Sequence, residues 1–230
     1  MRVLALDTAT EACSVALWTG EAMITRVEEP GRGHALRILP LVDEVLHEAG
    51  LTLTQLSALA AGVGPGAFTG VRIGVSVAQG LAFGAGLRVL PVNTLEALAM
   101  QALSRPDWAG RDVLACLDAR MGEVYWGCYR GDVARGVEAT SLPRVDKPAA
   151  VCAAVFGRDL VGIGRGIPVL QAQGWTGPCD PLTLPAAEHM VKVAMLRLPR
   201  GEGLDAADLQ PLYLRDKVAF TEAERAAGAR

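Results

Sequence analysis

Val3-Leu4-Ala5-Leu6-Asp7 opens the chain, and Leu114-Ala115-Cys116-Leu117-Asp118 repeats it in the second half. The register continues without a gap. Cys13-Ser14-Val15-Ala16-Leu17-Trp18 falls on Val124-Tyr125-Trp126-Gly127-Cys128-Tyr129, and Gly20 falls on Gly131. Each copy reads as an apolar strand ending in Asp, a polar turn, a second strand and a glycine turn. Two unrelated hairpins could look alike, but an aligned Asp, aromatic and Gly favour an internal duplication. The chain is then two halves on one plan, with an Asp turn from each facing a shared cleft.

Between the copies lies Gly64-Pro65-Gly66-Ala67-Phe68-Thr69-Gly70-Val71-Arg72-Ile73-Gly74. It follows an apolar run from Leu56 to Val63 that reads as a buried strand and precedes a helical stretch from Val71 to Phe83. A glycine-rich strand-to-helix loop can gather backbone N–H groups around an anion. Its plainer use is a tight turn in which glycine permits positive φ and close packing. No Lys and Ser/Thr follow Gly70, so this is not a Walker loop, and Thr69 reads as the N-cap.

At 230 residues the chain holds one large or two modest cores. Half of it is apolar (51%) and only 5% aromatic, as in an Ala/Leu/Val-rich α/β protein. A net charge of −3 argues against direct high-affinity nucleic-acid binding by this chain alone. Cys13, Cys116, Cys128, Cys152 and Cys179 are scattered without a C-x-x-C, which fits a reducing cytoplasm. The N-terminus runs straight into a strand, without a signal-peptide pattern. The apolar stretch from Arg72 to Arg88 is too short and too rich in Gly to span a membrane.

The periodicities predict strands near 2–7, 12–18, 22–28, 57–63 and 87–92, and helices near 34–49, 70–84 and 94–103. Gly50 ends the first helix and Pro40 lies inside it, where it removes a hydrogen bond or bends the axis. Ser104 to Gly110 is the expected boundary, giving halves 1–104 and 105–230. The second half reads as strands near 112–118, 122–130 and 159–163, and helices near 147–156 and 185–198. The stretch from Asp205 to Arg230 reads as a tail that frays or returns to the first half. Strand–strand–strand–helix–strand–helix in each half is an α/β pattern with mixed sheets.

Leu6-Asp7-Thr8-Ala9-Thr10-Glu11-Ala12-Cys13-Ser14-Val15-Ala16-Leu17, the Gly64–Gly74 signature, Leu117-Asp118-Ala119-Arg120-Met121-Gly122-Glu123-Val124-Tyr125 and Pro211-Leu212-Tyr213-Leu214-Arg215 together resemble the TsaB (YeaZ) family of tRNA threonylcarbamoyladenosine biosynthesis. The resemblance covers nearly the whole chain. It implies the duplicated actin/Hsp70/sugar-kinase-like (ribonuclease H-like) fold, which agrees with the internal repeat. It also implies a non-catalytic subunit that binds and activates a TsaD-like paralogue, the enzyme that transfers threonylcarbamoyl to N6 of the adenosine beside the anticodon. A TsaE-like ATPase and tRNA would be met only through that complex, and the chain alone would be a homodimer.

The same resemblance directs attention to the cleft. The catalytic paralogue is implied to carry a His-x-x-x-His metal pair, one helical turn apart. The matching stretch here, Pro91-Val92-Asn93-Thr94-Leu95-Glu96-Ala97-Leu98, puts Thr94 and Leu98 at the ligand positions. His34, His47 and His189 do not pair at i, i+4 and read as partly exposed helix residues. No metal site or cofactor is expected. For a nucleotide, the candidates are Asp7, Thr8 and Thr10, Asp118, and the triplet Gly162, Gly164 and Gly166. The first turn lacks the glycines that admit phosphates and the second carries a bulky Arg120, so the cleft reads as degenerate, with at most weak nucleotide affinity. A working kinase or hydrolase cleft is the rival. A glycoprotease-like peptidase is a third reading, but Gly74-Val75-Ser76-Val77-Ala78 falls short of G-x-S-x-G and lies inside a helix.

The helix after the glycine signature is apolar on several faces and carries an i, i+4 stripe of small residues, Gly70, Gly74, Ala78 and Ala82. The first helix is similarly broad. The two helices can cover each other within the monomer, which accounts for part of this surface. The resemblance implies that both also build a partner interface, over Leu36, Ile38, Val42, Val45, Arg72, Ile73, Gly74, Ala78 and Leu81, with close approach at Ala78.

Overall fold

A computed structural model describes residues 1–215. The first half runs β1 (Val3–Asp7), β2 (Cys13–Trp18), β3 (Met23–Glu28), α1 (His34–Ala49), β4 (Ala58–Gly62), α2 (Phe68–Ala85), β5 (Val89–Val92) and α3 (Thr94–Leu103). The second runs β6 (Asp112–Arg120), β7 (Glu123–Asp132), β8 (Gly136–Ala139), β9 (Arg144–Asp146), α4 (Pro148–Ala154), β10 (Leu160–Ile163), α5 (Ile167–Gln171), β11 (Cys179–Asp180) and α6 (Ala187–Arg197). Residues 216–230 of the expected tail lie outside the described residues.

The duplication is visible in the sheets. The first has the order β3-β2-β1-β4-β5, and the second β8-β7-β6-β10-β11, with β9 as an extra strand on β7. In each, the first three strands are antiparallel neighbours and the next two join in parallel. The match is not gapless, however. Asp7 pairs with Ser14, but Asp118 pairs with Val124, so the second hairpin is one residue shorter than the ungapped alignment requires. A bulge between Asp118 and Arg120 and a left-handed Arg120-Met121-Gly122 turn absorb the difference.

β1 is buried throughout, and apolar up to Asp7, because both sheet faces are covered. On one face Leu4 and Leu6 meet Ile38, Leu41 and Val45 of α1 and Val71, Val75, Ala78 and Ala82 of α2. On the other, Val3 and Ala5 meet Met190, Val191 and Ala194 of α6. The last helix of the second half thus packs on the first sheet. Reciprocally, Leu95, Leu98 and Ala102 of α3 pack on Val113, Ala115 and Val161 of the second sheet. α4 and α5 cover its outer face through Val151, Ile167 and Leu170. The two exchanged helices lie between the sheets, with Glu96 of α3 held by Arg197 of α6 at 2.6 and 2.8 Å. Burial raises the Glu96 pKa against the pull of that guanidinium. Chain from beyond α6 returns to the first half: Leu209 is fully buried in its core, and Leu212 N–H donates to Val63 C=O at 2.8 Å.

Candidate functional site

The carboxyl ends of β1 and β6 open onto a cavity of about 660 Å³ between the halves. Its walls are the Ala9–Glu11 turn, the start of α2 from Pro65 to Val71, the Leu117–Met121 turn, Arg165, and the Leu212–Arg215 segment. Asp118 lines it. Asp7, Gly162, Gly164 and Gly166 do not.

The glycine signature is explained by what lies on it. Thr8 donates its hydroxyl to Gly70 C=O at 2.7 Å, and Ala67 N–H donates to Ala9 C=O at 2.7 Å. A Cβ at Gly66 would meet the Ala9 carbonyl, and one at Gly70 the Thr8 carbonyl, both far inside van der Waals contact. The β1–β2 turn therefore rests on the start of α2, and these glycines serve close packing. Positive φ is required at Gly64 (98°), not at Gly66 or Gly70. The N-cap is Ala67 without a side-chain cap, which corrects the sequence assignment to Thr69: the helix starts two residues earlier than expected, with Phe68, Thr69 and Gly70 in its first turn. Gly70→Val is expected to cost about 3 kcal/mol, because a backbone carbonyl rather than a flexible side chain must move. Urea unfolding of that variant checks the loss.

Asp7 is fully buried. Its Oδ1 accepts from Ala9 N–H at 3.3 Å, Oδ2 has no partner among the described residues, and burial pushes its pKa up to about 7. Gly62 leaves room for this carboxyl, since a Cβ there would overlap Oδ1. The Gly162, Gly164 and Gly166 triplet admits neighbours in the same way: Trp175 over Gly162, the Cys116 carbonyl against Gly164, and Cys116 with Leu117 against Gly166. Gly162 thus makes room for Trp175, and Gly164 and Gly166 let the turn after β10 lie against β6, so the triplet serves packing.

Thr94 and Leu98 are both fully buried at the start of α3, and no group of three His, Cys, Asp or Glu residues suited to a metal occurs among the described residues. Two histidines are less exposed than expected. His34 is buried with Nε2 3.0 Å from Thr10 C=O. His189 is buried, and desolvation with Lys192 and Arg105 nearby lowers its pKa to about 3.

The expected interface residues separate into two groups. Ile38, Val42, Val45, Gly74 and Ala78 face the chain's own sheet, and Ala78 is fully buried. The small stripe Gly70–Gly74–Ala78–Ala82 lets α2 approach β1 and its turn. This corrects the expectation that the stripe faces a partner. Leu36 is 79% exposed, Arg72 is exposed, and Ile73 and Leu81 are half-buried. A second stripe, Ser76, Gly80 and Gly84, runs down the outer face of α2, flanked by Val77 and by Phe83 at 82% exposure. A shallow groove joins Ala35 of α1 to Phe68, Arg72, Ile73, Ser76 and Val77 of α2. The sequence contains both stripes. Both stripes have apolar neighbours, Val71 and Val75 on the inner one and Ile73, Val77 and Leu81 on the outer, so only the packing on the sheet separates them.

The repeated sheet order and exchanged helices define a two-lobed α/β protein of the actin-like class. Residues 27–159 match the family model of TsaD, the tRNA N6-adenosine threonylcarbamoyltransferase. The tRNA threonylcarbamoyladenosine biosynthesis protein TsaB of Escherichia coli (strain K12) is 42% identical over 226 residues, spanning 96% of this chain and 97% of its own. TsaB of Haemophilus influenzae is 37% identical, covering 96% of each. The structure of YeaZ from Pseudomonas aeruginosa superposes with a TM-score of 0.86 at 40% identity, over 93% of this chain and 99% of that one. The chain belongs to the TsaB family of tRNA threonylcarbamoyladenosine biosynthesis proteins.

Proposed function

We propose that this chain is a non-catalytic subunit of the threonylcarbamoyladenosine-forming machinery, and that it binds and activates a paralogue of the transferase family through the outer face of α1 and α2. The observation that carries the reading is the Ser76–Gly80–Gly84 stripe. Gly80 lies in the helix interior, where glycine costs about 1 kcal/mol relative to alanine. Among the described residues a Cβ at Gly80 or Gly84 would meet open space, so none of them calls for glycine there. A partner helix brought close to this backbone would. Ile73, Val77, Leu81 and Phe83 on α2, with the exposed Leu36 on α1, supply apolar area for such a contact.

In the absence of the paralogue the same face pairs two copies of this chain. A TsaE-like ATPase and tRNA meet the chain only within the complex, in the cytoplasm. The cleft supports the non-enzymatic part of the reading: Asp7 is fully buried and does not line it, and the β1–β2 turn is hydrogen-bonded onto the start of α2. The peptidase alternative gains nothing from Ser76, which sits mid-helix rather than on a strand–helix elbow. The test is reconstitution. Mixed with the paralogue, the chain should co-elute in size-exclusion chromatography, and the modified nucleoside should form in the full mixture but not when this chain is omitted. Modification at full rate without it, or turnover of ATP by this chain alone, would overturn the proposal.

A further inference from the structure

The two sides of the cleft are held by different chemistry. On the α3/α6 side the halves meet through fully buried side chains, among them Leu95, Leu98, Met190 and Val191. At the mouth they meet through exposed ion pairs: Arg165 with Glu29 at 3.1 Å, and Arg120 with Glu11 at 3.3 Å. Exposed pairs of this kind contribute at most about 1 kcal/mol each and are screened by salt. One further link crosses the mouth, the segment from Leu209 to Arg215. Leu209 is rooted in the first core, with its carbonyl accepting from Gln79 at 3.0 Å. Tyr213 packs on Phe68, ring centroids 5.6 Å apart, and its hydroxyl accepts from Arg72 Nε at 2.7 Å. Two residues later Arg215 pairs with Glu123 on the second half, and its exposure falls to 15%. It docks beside Arg120 and Met121, two non-glycine residues at φ 61° and 56°, a conformation that persists only where neighbours hold it.

We propose that Leu209–Arg215 is a strap that closes the cleft mouth, and that Arg72 couples it to a protein partner docked on the outer face of α2. The coupling rests on the partner reading above; the strap does not. Arg72 belongs to both structures. It lines the groove on α2, stacks 3.7 Å over the Phe68 ring, and donates to the strap tyrosine. An apolar partner covering this face removes water from the guanidinium, so its bond to Tyr213 strengthens and the strap tightens.

Hydrogen-exchange mass spectrometry on the full chain, alone and with the paralogue, tests both parts. Arg215→Gln should raise exchange in the Asp118–Glu123 turn about tenfold, the loss of one charge-assisted hydrogen bond, with α3 and α6 unchanged. Exchange in that turn within twofold of wild type overturns the strap. Added paralogue should protect α2 and slow the same turn in the wild type. Tyr213→Phe keeps the ring on Phe68 and removes the acceptor, so it should keep the α2 protection and lose the effect on the turn. Unaltered transmission through Tyr213→Phe overturns the coupling. No protection of α2 by the paralogue overturns the partner reading and the coupling together, while the Arg215→Gln result still decides the strap.

Discussion

Ala78→Glu is expected to unfold the isolated chain, whereas Gly80→Glu, two residues on, should leave it folded and unable to assemble. Ala78 is fully buried between α2 and the first sheet, in the cluster with Leu4, Leu6 and Val75. A carboxylate there has no cation to meet, and an unpaired buried charge costs about 3–5 kcal/mol. That is a large part of the stability of an ordinary domain, about 5–15 kcal/mol. Gly80 projects into open space. Replacing it inside a helix adds about 0.5–1 kcal/mol of helix propensity, so the variant should melt slightly higher than wild type. The same carboxylate, carried into a helix–helix contact, would be buried without a partner, and binding to the paralogue should fall below detection. Circular dichroism in urea reads the first effect and size-exclusion chromatography of the mixed subunits the second. A folded Ala78→Glu variant would contradict the burial of that face, and a Gly80→Glu variant that still assembles would move the interface off α2.

The contrast between these two positions also marks how far the sequence can be read. The repeated Val3–Asp7 and Leu114–Asp118 strands carry the fold, because a buried strand ending in Asp has a strong local signature and sheet order follows from short connections. The bounds of α1 and α3 are equally legible: Gly50 adopts the left-handed C-cap, and Asn93 caps Leu95 N–H at 2.8 Å. The α1 helix also continues through Pro40. The second half is harder to read. The strands β8 and β9 are short and half-exposed, so alternation is weak, and α5 has too few residues to show a period. The one-residue slip between the hairpins is invisible to an ungapped comparison, because apolar residues tolerate either register there. The outer stripe on α2 is present in the sequence, but choosing between two small stripes needs to know which face meets the sheet. The role of Tyr213 has no local signal at all: Arg72 lies 141 positions away, and only the returning chain brings them together.

Asp7→Asn should abolish a pH dependence of stability that the wild type carries between about pH 4 and 7. The Asp7 carboxyl lies at the end of β1 with no exposure, one oxygen without a partner among the described residues, and a pKa pushed up to about 7 by burial, against 3.8 in the unfolded chain. Hydrogen bonds from Ala9 and Thr8 N–H oppose that rise without cancelling it. In this window the folded chain keeps the proton that the unfolded chain releases. The unfolded state binds fewer protons, so stability falls as pH rises. The contribution is complete below about pH 4 and gone above about pH 7. About three pKa units correspond to about 4 kcal/mol, a strong effect for one side chain. Asn has nearly the same shape and no charge to desolvate, so its stability should not follow this slope. Taking the difference between wild type and variant at each pH removes the titrations they share. Urea unfolding at pH 4, 6 and 8 should show the variant gaining on the wild type by about 4 kcal/mol over that range. Parallel curves would mean that Asp7 is ionised in the folded chain, and hence that the cavity reaches it. Such an open, charged Asp7 would be available to a hydrated cation, and the kinase-like reading of the cleft would then regain its main acidic group.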